Sequence, residues 1–232
     1  MRIAVITARG GSKRVPRKNI TPFHGQPMIA WSIQAALSAR IFDRVIVSTD
    51  DQEIAEIATA YGAEVPFVRP IELANDHATT LDVMCHATKW VTEKYGDQEC
   101  ICCIYPTAPF ISASDLVESY AQFACFGGQY VFSACEFNAS VYRAFKQGAT
   151  GGVEMLYPEF YATRSQDLPV VMHDAAMFYW GTPNAWLGKL PVFSEHSNPY
   201  LIPGWRVLDI DTPEDLERAH LIAEAVFASM SG

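Results

Sequence analysis

Apolar β-branched runs alternate with segments whose apolar residues recur at every third or fourth position through the first two-thirds of the chain. That is the pattern of βαβ units around a mostly parallel sheet. The first run, Ile3 to Ala8, is almost continuously apolar, as a strand buried on both faces requires. Pro27 sits near the start of a predicted helix with Met28, Ile29, Ile33, Ala36 and Leu37 on its apolar face. Val45 to Ser48 predicts a second strand, with Thr49-Asp50 capping a helix that carries Ile54, Ile57 and Ala58. Ala63 to Phe67 predicts a third short strand. After the loop from Arg69 to Ala78 come a helix over Thr80 to Lys94 and a strand over Cys100 to Ile104, ended by Pro106 and Pro109. A helix over Ser114 to Cys125 and a strand over Tyr130 to Cys135 follow.

Regularity then falls. Glu136 to Pro169 mixes short apolar pieces with Gly148, Gly151, Gly152 and several aromatics, and predicts a protruding β-rich excursion, centred on residues 136–164. A strand over Ala176 to Trp180 and an extended segment over Trp205 to Ile210 lead to Thr212, a helix cap, and to Pro213, the first residue of a last helix reaching Ala228. Asp215 lies in its first turn, where the helix dipole favours a carboxylate.

Half of the 232 residues are apolar and no linker or low-complexity tract interrupts them, so one domain over residues 1–232 is expected. Neither a signal segment nor ~18 consecutive apolar residues is present, which predicts a cytoplasmic protein without a membrane partner. The six cysteines form no zinc spacing and read as reduced core thiols.

Charge changes the picture at one place. The net charge is −9, yet five of the 17 Lys and Arg residues fall between Arg9 and Lys18. A localised anion site on an acidic body fits this better than a nucleic-acid surface. Gly10 and Gly11 allow close backbone approach to phosphate, with positive φ available. Arg9, Lys13 and Lys18 supply charge. Neither the P-loop nor the dinucleotide spacing is present, and a merely solvated basic loop is the competing reading.

Asp209 and Asp211 alternate in an extended segment, so both carboxylates share a face where Mg²⁺, as one or two ions, could join them to phosphate oxygens. Alternatively Asp211 favours the next helix and Asp209 pairs with a cation. Combined with the basic loop, the pair points to phosphoryl or nucleotidyl transfer.

Ala8-Arg9-Gly10-Gly11-Ser12-Lys13 with Pro16, Lys18 and Asn19 resembles the N-terminal signature of cytidylyltransferases that activate nonulosonic, sialic-type acids. Phe42 to Asp50, Arg69-Pro70 with Glu72-Leu73-Ala74, Pro106-Thr107-Ala108-Pro109, Arg164-Ser165-Gln166 and Asp209-Ile210-Asp211-Thr212 recur in the family's order, so the resemblance covers nearly the whole chain. It implies an α/β, Rossmann-like nucleotidyltransferase fold with a mostly parallel mixed sheet and a protruding dimerisation excursion. It also implies attack of the C2 hydroxyl of a nine-carbon keto-sugar acid on the α-phosphorus of CTP, with pyrophosphate leaving and a homodimer as the working unit.

By the same resemblance, Ala8, Arg9, Gly10, Gly11, Ser12, Lys13, Lys18, Asn19 and Arg69 are expected at the nucleotide. Arg9, Lys13, Lys18 and Asp211 are expected to act in catalysis, and Asp209 and Asp211 to hold the metal. Arg14 and Arg17 have weaker claims and are left as surface charges. Tyr105 and His173 stand where sialic-acid members usually carry Gln and Arg. With Cys102 to Ile104, Arg164 to Leu168 and Phe178 to Gly181, they resemble the pseudaminic acid branch, whose sugar is 9-deoxy and bears two acylamido groups. Tyr105, Arg164, Gln166, His173, Phe178 and Tyr179 are therefore the expected sugar residues, and His173 is a conceivable base. An N-acetylneuraminic or legionaminic acid enzyme, a sugar-1-phosphate nucleotidyltransferase and a catalytically silent nucleotide-binding protein are the competing readings.

Overall fold

The computed structural model describes residues 1–230. β1 (Arg2–Thr7) leads through a short hairpin, β2 (Pro22–Phe23) and β3 (Gln26–Pro27), into α1 (Met28–Ala39). β4 (Arg44–Ser48), α2 (Gln52–Ala60), α3 (Thr80–Tyr95), β5 (Cys100–Ile104), α4 (Ala113–Phe126) and β6 (Tyr130–Glu136) follow. A second hairpin, β7 (Phe145–Gln147) with β8 (Val153–Met155), precedes β9 (Met172–Gly181) and α5 (Pro183–Leu187). β10 (Ser197–Leu201) and α6 (Pro213–Met230) complete the order.

Six strands form one sheet in the order β10-β6-β9-β5-β1-β4. β1 is parallel to β4 and β5, and β10 to β6, while β9 runs antiparallel between β5 and β6. The mostly parallel mixed α/β sheet expected from the sequence is therefore present. Each central strand feeds two cores, because its side chains alternate between faces. Ala4 and Ile6 pack with apolar residues of α1, α2, α4 and α6, while Ile3 and Val5 pack with those of α3 and α5. Cys100, Cys102, Cys103 and Cys135 are buried thiols, and all six cysteines are free.

Several local expectations are corrected. The cap of α2 is Asp51, whose side chain accepts from Ile54 N, because Thr49 and Asp50 still belong to the turn after β4. Ala63 to Phe67 is no regular strand: it meets its neighbour only through isolated bridges at Glu64 and Val68. Within Trp205 to Ile210 the chain makes a 3₁₀ turn over Gly204–Arg206. α5 and β10 had no clear signal, one being five residues long and the other interrupted by Pro199.

Between β6 and β9 the chain leaves the sheet. Gly151 and Gly152, both at positive φ, turn the β7–β8 hairpin, and Phe145, Val153, Leu156 and Tyr161 stand exposed on this segment.

The turn that carries Asp209 and Asp211 is anchored from below. Arg206 is buried and donates to both carboxylate oxygens of Asp115 and, at 2.8 Å, to the carbonyl of Phe110. Asp115 also closes the capping box of α4 with Ser112, so one pair fixes the acidic turn, a helix start and the loop after β5. Removing one partner strands a buried charge, and Arg206→Ala should lower unfolding stability by about 3–5 kcal/mol. Urea denaturation checks this, and a loss under about 1 kcal/mol would mean the pair is not an anchor.

Candidate active site

The carboxyl ends of β1, β4 and β5 open onto one crevice, the usual ligand position in such sheets. Ala8 closes β1 by donating its N–H to Ser48 O at 3.0 Å, so that amide serves the sheet and not a ligand. The chain then loops outward. Gly10 is required by crowding: an added Cβ would lie 2.7 Å from Asp51 Oδ2, and Gly10 N instead donates to Asp50 Oδ1 at 3.0 Å. The positive φ expected at Gly10 and Gly11 is used at neither, and Gly11 faces open space. Asn19, buried, donates to Arg9 O at 2.8 Å and holds the two ends of the loop together.

Every cation of the loop has a carboxylate partner. Arg9 meets Asp76 at 2.7 Å and Lys13 meets the other oxygen of the same carboxylate. Arg14 and Lys18 converge on Asp211 at 2.8 and 3.2 Å, and Lys18 also donates to Ile210 O at 2.6 Å. Arg17 grips Asp51 and Glu53 at the start of α2. Arg14 and Arg17, expected as surface charges, are thus tethers that fasten the loop to the acidic turn and to α2.

A cleft of about 320 Å³ lies beside the loop, walled by Arg9, Ser12, Asn19, Arg69, Asp76, Thr80 and Tyr105 among others. Arg69 is buried and donates to the hydroxyl and carbonyl of Ser48; burial pulls its pKa down to about 10, so it stays cationic at neutral pH. Asp76 lines the cleft, and Lys13, largely exposed and outside the lining, together with Arg9 pulls its carboxyl down to about 2. Asp209 makes no hydrogen bond or ion pair among the described residues. Burial, then the neighbouring Asp211, pushes its pKa up.

A second cleft of about 360 Å³ shares Thr79, Thr80 and Tyr105 with the first and is mostly apolar, with Leu81, Tyr179, Pro191, Val192 and Phe193 in its walls. Tyr105 is fixed by its backbone, N to Met177 O at 2.9 Å and O from Ser32 Oγ at 2.8 Å, and its hydroxyl lies 2.8 Å from Thr80 Oγ1. Tyr179 packs beside Tyr105 and donates to Asp174 Oδ2 at 2.5 Å.

Of the expected sugar residues, Tyr105 and Tyr179 meet in this cleft and the others do not. Phe178 is wholly buried on the opposite face of the sheet, near Tyr200, because it neighbours Tyr179 on a strand. His173 packs on Phe137, with Nδ1 2.8 Å from Asp174 O, and lines neither cleft. Arg164, paired with Asp167 at 2.7 Å, and Gln166 lie exposed on the excursion, away from both clefts. Sequence reading missed Asp76, Asp174 and Thr80. Asp76 lies 67 positions from Arg9, where no spacing rule operates.

The fold and this crevice, with its cationic loop beyond the sheet's carboxyl ends, define a Rossmann-like nucleotidyltransferase. Residues 3–134 match the family described as cytidylyltransferase, and the chain belongs to that family. It is 41% identical over 220 residues, 95% of each chain, to a pseudaminic acid cytidylyltransferase of Campylobacter jejuni. It is 30% identical over 224 residues, 92% of each chain, to a CMP-N,N'-diacetyllegionaminic acid synthase of Legionella pneumophila. Among solved structures, a CMP:2-keto-3-deoxy-manno-octonic acid synthetase complexed with CTP superposes with a TM-score of 0.71 at 18% identity, covering 97% of this chain and 98% of the other.

Asp76 occupies the two cations that a polyphosphate would need. Asp76→Asn should therefore tighten binding of a nucleoside triphosphate by about three- to tenfold, the scale of one or two exposed ion pairs. Calorimetric titration with CTP checks it; unchanged or weaker binding would show that Asp76 does not compete with phosphate.

Proposed function

We propose that this chain couples CTP to pseudaminic acid, forming the CMP-sugar and pyrophosphate. The observation that carries the reading is the pair of contiguous clefts joined at Thr80 and Tyr105, one cationic and one apolar. A triphosphate suits the first, and a 9-deoxy sugar with two acylamido groups suits the second better than a glycerol tail would. The 41% identity to the Campylobacter jejuni enzyme over 95% of both chains supports the choice of sugar.

Within this reading Arg9 and Lys13 exchange Asp76 for phosphate oxygens, and Lys18, steadied by Ile210 O, adds charge at the leaving group. Arg69 and Asn19 shape the nucleotide wall, with Ser12 at its edge. Asp209 and Asp211 suit a hard divalent cation: both offer oxygen donors, and Asp209, whose pKa is raised first by burial and then by Asp211, makes no ion pair of its own among the described residues. Mg²⁺, when bound there, would supply positive charge to the phosphate oxygens. For Asp211 this means sharing or releasing Arg14 and Lys18.

The exposed apolar side chains of the excursion suit a homodimer contact, which would bring Arg164 and Gln166 toward a second copy's sugar cleft. The free cysteines accord with a reducing cytoplasm, where CTP is available.

The deciding assay is pyrophosphate release from CTP with pseudaminic, N-acetylneuraminic and legionaminic acids, with and without Mg²⁺. The highest kcat/KM is expected with pseudaminic acid; best turnover of either other acid would replace the substrate assignment. Asp209→Ala and Asp211→Ala should each lower kcat by at least about a hundredfold with a retained fold, as circular dichroism would show. Near-normal rates would sink the metal assignment. Light scattering should give twice the 25.7 kDa chain mass, and a monomer at assay concentration would remove the dimer.

A further inference from the structure

Among the side chains that wall the apolar cleft, Asp174 alone carries charge, and no cation lines it. The cations Arg9 and Arg69 lie at the neighbouring nucleotide cleft. Asp174 reaches its place through an irregularity in β9. Its pairing with β6 shifts register between Phe132 and Ala134, and Ala176 takes a left-handed conformation with φ of 52°. Asp174 and Tyr179, an odd number of positions apart, would face opposite sides of a regular strand. The bulge puts both on the cleft side, as such insertions do near binding sites.

The carboxylate is also pre-set. Ala176 N donates to Oδ1 at 2.9 Å and the Tyr179 hydroxyl to Oδ2 at 2.5 Å. An ionised carboxylate offers about four acceptor positions, so acceptor capacity remains for a ligand. In apolar surroundings both attraction to a donor and repulsion of another anion are stronger than in water.

We propose that Asp174 determines sugar specificity and orientation: it accepts an amide N–H of an acylamido substituent and repels the sugar's own carboxylate, so the acid enters this cleft amide first. The inference rests on assigning the apolar cleft to the sugar. It gives the lone anion a purpose that ordinary packing does not, since an apolar wall of half-buried Leu81 and Val192 and exposed Phe193 gains nothing from an adjacent charge.

The test compares pseudaminic acid with two analogues in which one or the other amide N–H is replaced by an ester oxygen of similar shape. With the wild-type protein, one of the two esters should lose about ten- to a hundredfold in kcat/KM, the scale of a hydrogen bond to a charged group. Asp174→Asn retains an acceptor for Ala176 N. It should lower kcat/KM for the natural sugar mainly through KM, narrow the amide-over-ester preference about tenfold, and leave KM for CTP within about twofold. Tyr179→Phe keeps the carboxylate and should keep the preference. Wild-type turnover of both esters within about twofold of the natural sugar would overturn the proposal, as would an undiminished preference in Asp174→Asn. The wild-type comparison stands alone if the variant does not fold. If wild-type protein turns over no nonulosonic acid at all, the substrate reading itself fails and this inference with it, a result distinct from either of those.

Discussion

Five positive charges within ten residues repel one another, and in the loop from Arg9 to Lys18 acidic groups from three distant segments neutralise them. Asp51 and Glu53 come from the start of α2, Asp76 from the loop before α3, and Asp211 from the turn before α6. Each contact is partly solvent-exposed and individually weak. Their joint effect is geometric: they draw the edges of the crevice around one strip of charge. The contacts also differ in kind. Arg17 is bound by two carboxylates at the helix start and acts as a fixed tether, whereas Arg9 and Lys13 share the one carboxylate of Asp76, which a stronger anion can replace.

Much of this architecture was legible along the chain because the strands carry the signal of burial on both faces. β1 and β5 are runs that no solvent-facing pattern would tolerate, and their helices show regular apolar faces. The cationic loop and the Asp209–Asp211 pair were legible as chemistry. What stayed hidden depends on tertiary geometry. Asp76 and Arg9 meet only because two loops fold over one sheet edge. Asp174 was overlooked because the predicted strand began at Ala176 and left it outside, whereas β9 starts at Met172; the left-handed Ala176 that sets its facing has no marker in the residue type. Phe178 was assigned to the sugar through its neighbours in a motif, although adjacent strand residues face opposite cores. β10 and α5 were obscured by Pro199 and by shortness.

The two clefts differ in charge. The first carries Arg9 and Arg69 and suits an anion, while the second is apolar with one carboxylate. Tyr105 belongs to both, its hydroxyl held at Thr80 and its ring against Tyr179, so a ligand in either cleft meets the same rigid partition. Burial raises the pKa of Tyr105 to about 12 and that of Tyr179 further, which keeps both phenols neutral hydrogen-bonding groups at physiological pH.

β9 has a consequence for how the molecule can assemble. It is the ninth strand in sequence but sits in the middle of the sheet, wedged between β5 and β6, which do not touch each other as neighbours. The segment that carries the cationic loop, residues 3–134, therefore ends with β6 separated from the rest of its sheet by an empty lane. During synthesis from the N-terminus, that lane stays open until Met172 to Gly181 emerges, leaving the inner edges of β5 and β6 unpaired. β9 is thus a late insert at the centre of the sheet, and β10, later still in the chain, adds beyond β6 at its edge.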